Sequence, residues 1–393
     1  MCGIAGIFAF RPTHRYDLGK SLTAITSRMV TRGPDAGGQW ISEQSRIGLG
    51  HRRLSIIDLE TRSDQPMHSA DQRHTIVFNG EIYNYRDLRR ELEERGRQFV
   101  TTSDTEVLLQ MYAEYGVAML ERLRGMYAFG IWDATSQQLF LARDPLGIKP
   151  LYYAQGDGHL YFASQVKALL DVPGIDLREQ SAAHVGFFVW GSVPEPLTLY
   201  RGIHSLPAGT WLSANGDGIS EPHCFGSPVD EFMHFDLTEL PKSEAECASR
   251  LHDALEESVR VHEVADVPIA IFLSAGLDSG MIASLISENR TDIGALTLGF
   301  DLLRGTEQDE TCLAARVAKE YSLPHRVEFI GQSRFVDHRE NLLALMDQPT
   351  IDGVNTYFIS WLARECGFKV AMSGLGGDEL FGGYPSFTQI PPT

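Results

Sequence analysis

The sequence predicts two unlike domains: a mixed α+β domain of two antiparallel strand layers with helices outside, then an α/β domain on a parallel sheet. Three observations predict this. Within the first two hundred residues, short apolar runs pair through tight turns, as Met126–Asp133 does with Gln138–Arg143. After residue 243, strand and helix patterns alternate to the end of the chain, which requires crossovers and parallel strands. Between them, from Pro207 to Pro241, periodicity fades and Gly, Pro, Ser and Asp accumulate. The expected boundaries are 2–205 for the first domain, 206–242 for a linker with small connecting strands, and 243–393 for the second domain.

The elements follow in order. Met1-Cys2-Gly3-Ile4-Ala5-Gly6-Ile7-Phe8 opens as a buried strand. Leu18–Val30 has apolar residues at helical spacing, and Ile47–Leu54 and Thr75–Phe78 read as strands. Tyr85–Arg95 is a charged surface helix that ends at Gly96, and Asp104–Tyr115 is a second helix. Tyr152–Ala154 and Leu160–Ala163 suggest another hairpin. In the second domain a long helix covers Glu244–His262. Strands are expected at Pro268–Leu273, Ala295–Phe300, His325–Ile330 and Lys369–Met372. Helices are expected at Ser279–Glu288, Glu310–Tyr321, Arg339–Met346 and Tyr357–Cys366.

Composition narrows the function classes. At 393 residues the chain can bury two large cores, and 43% hydrophobic with 22% charged residues is ordinary for a globular protein. A formal net charge of −18 argues against non-specific binding to nucleic acid or an anionic membrane. The five cysteines (Cys2, Cys224, Cys247, Cys312, Cys366) are scattered without metal-ligand spacing. That fits a reducing cytoplasm rather than a disulfide framework. No signal peptide precedes Cys2, and no apolar run reaches membrane-spanning length.

Removal of Met1 would leave Cys2 with both a thiol and a free α-amine. The two groups titrate near ~8.5 and ~8, so at neutral pH the amine can take the thiol proton without a separate histidine. The competing reading is a start codon followed by a chance cysteine in a strand. Four polar clusters lie beside strand ends: Arg32-Gly33-Pro34-Asp35, His51-Arg52-Arg53-Leu54-Ser55, Asn79-Gly80-Glu81-Ile82-Tyr83-Asn84 and Ser103-Asp104-Thr105-Glu106. Alone, Asn79-Gly80 is a turn signal and Asp104 a helix cap. Taken with Cys2 they form a set. The Asn79 amide and the Gly80 N–H supply two donors for a tetrahedral oxyanion. Arg53 suits the α-carboxylate of a glutamine substrate, and Asp104 its α-ammonium.

These motifs, with Gly-Met-Tyr-Ala-Phe-Gly-Ile-Trp-Asp at 125–133, occur in the order that resembles the class II glutamine amidotransferase domain of the N-terminal-nucleophile hydrolases. The likeness covers roughly residues 2–200. It implies four αββα layers with two central sheets, Cys2 as nucleophile, Asn79 and Gly80 as oxyanion hole, and Arg53, Asn79, Glu81 and Asp104 as glutamine contacts.

A second constellation follows the linker. The strand Ile271-Phe272-Leu273 runs into Ser274-Ala275-Gly276-Leu277-Asp278-Ser279-Gly280 and then a helix. Such a loop can cradle phosphate through backbone N–H groups, or be an ordinary strand-to-helix turn. It is not a Walker A loop, because no Lys follows the glycine. A second small-residue loop, Ser373-Gly374-Leu375-Gly376-Gly377-Asp378-Glu379, places Asp378 beside Asp278 at strand carboxyl ends, where nucleotides and Mg²⁺ bind in open α/β sheets. This half resembles the ATP-pyrophosphatase domain of asparagine synthetase, and the domain order matches that family. The resemblance implies ATP as cosubstrate, activation of a carboxylate as an acyl-adenylate, and attack by ammonia from glutamine. It assigns Leu273, Ser274, Ala275, Gly276, Leu277, Asp278, Ser279, Leu298, Ser373 and Gly374 to ATP, and Asp278 and Asp378 to Mg²⁺.

Three departures stand out. Ala275 and Gly280 replace a Gly and a Ser of the usual phosphate loop. Leu375 stands where the family has a Glu expected to move a proton when ammonia attacks. The chain stops at Thr393, whereas family members continue, so the α/β domain is expected to be C-terminally incomplete or complemented by another chain or copy. The sequence therefore reads as a cytoplasmic, glutamine-dependent, asparagine synthetase-type ligase with aspartate as default acceptor and small molecules as its other substrates. The alternatives are a different carboxylate acceptor, such as a sugar acid, peptide or natural-product precursor, or a chain acting only as glutaminase or assembly partner.

Overall fold

A computed structural model describes residues 1–11, 16–234, 236, 238, 240–290, 292–384, 387 and 389. The chain divides into two compact units. One holds Met1–Leu240 with Asp347–Ile351, and the other holds Pro241–Met346 with Asp352–Thr393.

The N-terminal unit contains strands β1 (Gly3–Ala9), β2 (Ala36–Ile41), β3 (Ile47–Arg53), β4 (Met67–His68), β5 (His74–Ile82), β6 (Gly125–Asp133) and β7 (Gln138–Arg143). It continues with β8 (Tyr152–Gly156), β9 (His159–Ala163), β10 (Ile203–Ser205), β11 (Thr210–Asn215), β12 (Gly218–Ile219) and β13 (His223–Cys224). They form two antiparallel sheets. One runs β10-β8-β9-β1-β3-β2, and the other runs β12-β11-β7-β6-β5-β4 with β13 beside β11. Alternation along β1 explains the layering. Ile4 and Phe8 point between the sheets and meet Val77, Trp132, Leu141, Phe162 and Leu212. Ala5 and Ile7 point outward, against Leu22, Ile25 and Met29 of the helix Leu18–Ser27 and its continuation. Helices Tyr85–Glu94 and Asp104–Tyr115 belong with the second sheet. The result is the four-layer αββα arrangement.

Several expectations need adjustment. Within 206–242, expected as a linker with small connecting strands, lie β11, β12 and β13. Thr210–Asn215 alternates buried and half-buried residues, pairs with β7, and sends Leu212 and Ala214 into the inter-sheet core. Its polar residues Thr210, Ser213 and Asn215 hid that period in the sequence. β2 was unforeseen because Gly37-Gly38 interrupts any strand signal. The helix Ser181–Trp190 escaped because it is apolar on all sides. The helix foreseen at Arg339–Met346 begins earlier and spans Gln332–Leu345, where the only buried residue is Leu342.

The C-terminal unit holds β14 (Ile269–Phe272), β15 (Ile293–Phe300), β16 (His325–Ile330) and β17 (Val370–Met372), all parallel, in the order β16-β15-β14-β17. Ile269, Ile271 and Leu273 face the helices Glu244–His262, Leu277–Asn289 and Thr311–Glu320. Ala270 and Leu296 face Leu362 and Ala363 of Gly353–Glu365. Both faces of the sheet are therefore covered, as a parallel sheet requires. Strand order reverses beside β14, since β15 lies on one side and β17 on the other. In open α/β sheets this switch point opens a crevice at the carboxyl ends of the two strands.

Phe162 is fully buried between the two N-terminal sheets. Phe162→Ala should destabilise that unit by about 3–5 kcal/mol, through lost transfer energy and the cavity left behind. Hydrogen exchange should show matching loss of protection in the amides of β1 and β9. Unchanged exchange there would contradict the assignment of this core.

Candidate active site

The start of β1 lies at the mouth of a cleft of about 530 Å³. Met1, Cys2, Arg53, Asn79, Gly80, Glu81, Asp104 and Lys149 all line it. Every residue that the sequence assigned to glutamine chemistry thus converges on one place from β1, β3, β5 and the start of the helix Asp104–Tyr115.

Cys2 is fixed by backbone. Gly3 pairs with Arg52, so β3 holds β1 in register up to the residue next to Cys2. The Cys2 sulfur accepts from the Leu54 N–H at 3.4 Å, and its S–H donates to the Leu54 carbonyl at 3.6 Å. The Nε of Arg32 donates to the Cys2 carbonyl at 2.9 Å. From the same motif, Asp35 accepts from the Ser55 N–H at 2.8 Å and ties down the chain after β3. Burial pushes the Cys2 thiol up, and the Leu54 N–H, the terminal amine, Arg32 and Lys149 offset only part of that rise. The buried α-amine is held down at about 5, chiefly by desolvation. In this structure that amine belongs to Met1, so it stands one residue away from the amine that Met1 removal would expose.

Asn79 and Gly80 sit in β5 opposite Ala128 and Tyr127. Asn79 is buried, and its Nδ2 has no hydrogen-bond partner among the described residues. A buried, unpaired amide donor is costly unless something else satisfies it. A β-carbon at Gly80 would run into the Met126 carbonyl oxygen, so only glycine allows β5 and β6 this approach. Gln65, which the sequence did not single out, steadies this stretch. Its Oε1 accepts from the Phe78 N–H at 2.6 Å, and its Nε2 donates to Thr105 Oγ1 at 3.2 Å.

The charged residues divide by role. Nη1 of Arg53 donates to Asp64 at 2.7 Å and to the Glu60 carbonyl at 2.9 Å, while Nη2 donates to the Asp58 and Ile57 carbonyls. Arg53 thus walls the cleft with its terminal nitrogens already engaged by the 57–64 loop, a commitment that its sequence position did not reveal. Asp104 is the first helical residue rather than the cap; the cap is Ser103, whose Oγ accepts from the Thr105 N–H at 3.1 Å. One Asp104 oxygen accepts from the Ile82 N–H at 3.1 Å. Burial raises Asp104 to about 6 despite that bond. Glu81 is raised to about 7 by burial and by Asp104, with Lys149 and the terminal amine opposing. His51 is structural: fully buried, bonded through Nε2 to the Phe78 carbonyl at 3.1 Å, and held neutral by desolvation with its pKa down at about 3.

Lys149 is the cleft residue that the sequence reading missed. The signal was present in the turn Asp144-Pro145-Leu146-Gly147-Ile148-Lys149 directly after β7.

In the C-terminal unit, the loops after β14 and β17 flank the switch point. The Ser274 and Ser279 hydroxyls hydrogen-bond at 2.9 Å, and the Gly276 N–H donates to Ser274 Oγ at 3.1 Å. The helix Leu277–Asn289 starts without a side-chain cap, leaving its first N–H groups free for an anion. The two loops touch: a β-carbon at Gly377 would collide with the Asp278 carboxylate. Asp278 therefore lies against the residue preceding Asp378. Among the described residues, no group of three or more His, Cys, Asp or Glu gathers as a metal site. A carboxylate pair completed by triphosphate oxygens is how Mg²⁺ is commonly held, so the donor set fits that ion only together with a nucleotide. Thr297 Oγ1 donates to the Leu273 carbonyl at 2.7 Å, while Leu298 contributes to the core beside Phe272. Ser373 Oγ accepts from the Leu375 N–H at 3.4 Å, and Leu375 itself is 82% exposed. Among the described residues no helix is long and apolar enough to cross a membrane, and all five cysteines are unpaired.

Comparison with known proteins bears on both units. The model of the glutamine amidotransferase domain matches residues 1–225, and that of asparagine synthase matches residues 250–393. The chain is 35% identical over 387 residues to asparagine synthetase (glutamine-hydrolyzing) 1 of Bacillus subtilis, covering 98% of this chain and 59% of that protein. It is 32% identical over 409 residues to a putative asparagine synthetase (glutamine-hydrolyzing) 2 of Methanocaldococcus jannaschii, covering 98% of this chain and 76% of that protein. It is 31% identical over 421 residues to amidase chry2 of Gibberella zeae, covering 98% of this chain and 60% of that one. The chain therefore spans less than two thirds of the Bacillus and Gibberella relatives. With the two models matched in order along a chain that gathers Cys2, Asn79, Gly80 and Asp104 in one cleft, this chain belongs to the asparagine synthetase family, a glutamine amidotransferase domain followed by an asparagine synthase domain.

Proposed function

We propose that the chain is a glutamine-hydrolysing, ATP-dependent ligase that releases ammonia at Cys2 and uses it to amidate a carboxylate, aspartate by default. The observation that carries this reading is the meeting of Cys2 with the unpaired Asn79 amide in one cleft. With Met1 removed, the Cys2 α-amine takes the thiol proton and Sγ attacks the δ-carboxamide carbon of glutamine. Asn79 Nδ2 and the Gly80 N–H receive the oxyanion. The ammonium returns the proton to the leaving nitrogen, ammonia departs, and a thioester remains. Water then hydrolyses the thioester to glutamate and regenerates the thiol. Asp104, with Glu81 nearby, is the anionic wall for the substrate α-ammonium.

In the second unit, Ser274 to Ser279 and the uncapped helix start would hold the phosphates of ATP, with Leu273, Leu298, Ser373 and Gly374 around the nucleotide. Asp278 and Asp378 would share Mg²⁺ with those phosphates. ATP supplies the leaving group that makes a carboxylate reactive toward ammonia. A second reading, amidation of a different carboxylate, draws on Leu375: its exposed aliphatic side chain can move no proton where the acceptor is attacked.

Three outcomes test these assignments. A diazoketone analogue of glutamine should label Cys2 in protein lacking Met1, and Cys2→Ala should abolish both labelling and glutamine hydrolysis. Asn79→Ala should lower turnover by about 10²–10³ with less effect on KM. Full turnover in Asn79→Ala would remove it from the oxyanion hole.

The second outcome is a pH dependence. Asp104 titrates near 6 and Glu81 near 7, and only their anions attract an ammonium. As pH falls from 8 through these values, a proton must be displaced for glutamine to bind. KM for glutamine should therefore rise, by up to about tenfold per pH unit below the lower value. Asp104→Asn should bind weakly with a flatter profile. A wild-type KM constant between pH 8 and 5 would be incompatible with this recognition.

The third concerns ATP. Calorimetry should detect ATP binding that requires Mg²⁺ and is lost in Asp278→Asn, and equal affinity in EDTA would defeat the metal assignment. Pyrophosphate release that depends on aspartate would support the default acceptor. Release with another carboxylate alone would select the second reading.

A further inference from the structure

Lys149 is a buried cation at the nucleophile that the proposed chemistry leaves without a task. Its side chain lines the cleft with Met1, Cys2 and Glu81, and the residue is only 6% exposed. Its backbone is held from both sides. The Lys149 N–H donates to Asp144 Oδ2 at 3.0 Å, and Arg143 Nε donates to the Lys149 carbonyl at 2.8 Å. Asp144 is wholly buried and also accepts from the N–H groups of Tyr127, Leu146 and Ile148. Arg143 reaches the Gly147 carbonyl at 2.6 Å, where a positive φ of 65° turns the chain. A turn this heavily bonded fixes the root of the lysine side chain, as a residue aimed at a reacting atom requires.

We propose that Lys149 is a positioning residue for the Cys2 nucleophile: rooted in the Arg143–Asp144 turn and lining the same cleft, it puts positive charge where the attacking thiolate forms. This rests on the glutaminase reading of Cys2. A fixed cation favours a thiolate and disfavours protonation of a nearby amine, so one charge acts on both halves of an N-terminal cysteine in the same sense. The groups facing this pair are Glu81 from β5, Arg32 from the segment after the first helix, Asp144 from the turn itself, and the terminal amine. Arg53 and Asp104 line the same cleft. Arg32 adds positive charge but spends its Nε on the Cys2 carbonyl. Glu81 offsets the burial that pulls Lys149 down, and Lys149 in turn opposes the rise of Glu81.

The test is the pH profile of Cys2 alkylation by iodoacetamide in the full chain lacking Met1, read on the Cys2 peptide by mass so that exposed Cys224, Cys247, Cys312 and Cys366 do not interfere. Lys149→Met should move the alkylation midpoint up by about one pH unit, slowing labelling about tenfold below it. Lys149→Arg should restore the wild-type midpoint, which a merely space-filling role would not achieve. An unmoved midpoint in folded Lys149→Met, or an Arg variant that behaves like the Met variant, overturns the proposal. If Lys149→Met does not fold, Glu81→Gln decides: removing the opposing carboxylate should lower the midpoint, and an unchanged or raised midpoint overturns the proposal. Glutamine hydrolysis that persists in Cys2→Ala defeats the glutaminase reading. Hydrolysis abolished in Cys2→Ala with no midpoint shift defeats only the role of Lys149.

Discussion

The N-terminal half depends on one constraint: its first strand is an interior strand. β1 pairs with β3 on one edge and β9 on the other, and residues 3 to 9 are all buried. A terminal strand is ordinarily free to fray. Here Ile4 and Phe8 fill the space between two sheets while Ala5 and Ile7 bind the outer helix, so neither face can let go. Cys2 sits one residue before this strand. Its position is therefore set by a core rather than by a loop, and polar residues from β3, β5 and the helix start can be placed around it.

The cleft shows how such a site balances its charges. Desolvation pushes Cys2, Glu81 and Asp104 toward their neutral forms and Lys149 toward its own. Burial alone would favour the neutral form of each of these four groups. The cations and backbone donors restore part of that charge where it is needed. The second unit works differently. Its loops after β14 and β17 are exposed at Leu277 and Leu375, and a helix start left without a side-chain cap marks where an anion can rest.

Much of this was legible in the sequence because the signals were local. The helix Glu244–His262 and the strand His325–Ile330 carry their own periodicity and were read to the residue. Cys2, Asn79, Gly80 and Asp104 stand in short polar motifs that are visible in the sequence, although β5 runs on through Asn79 and Gly80 to Ile82. What stayed hidden depends on distant partners. Lys149 enters the cleft through a turn organised by a buried arginine and aspartate, and nothing in its neighbours' polarity says which way it points. Arg53 suits a substrate carboxylate by its sequence position, yet its fate is decided by carbonyls of the 57–64 loop. The bounds of β11 do not stand out because half its residues are polar, and Asp347–Ile351 joins the N-terminal unit from far along the chain.

The central place of β1 also has a consequence in time. β1 is made well before its second neighbour, β9, which ends only at Ala163. At roughly 5–20 residues per second, the about 150 intervening residues take on the order of 8–30 s to appear. Throughout that interval β1 has a partner on at most one edge, and its sheet can close only once β9 has been made.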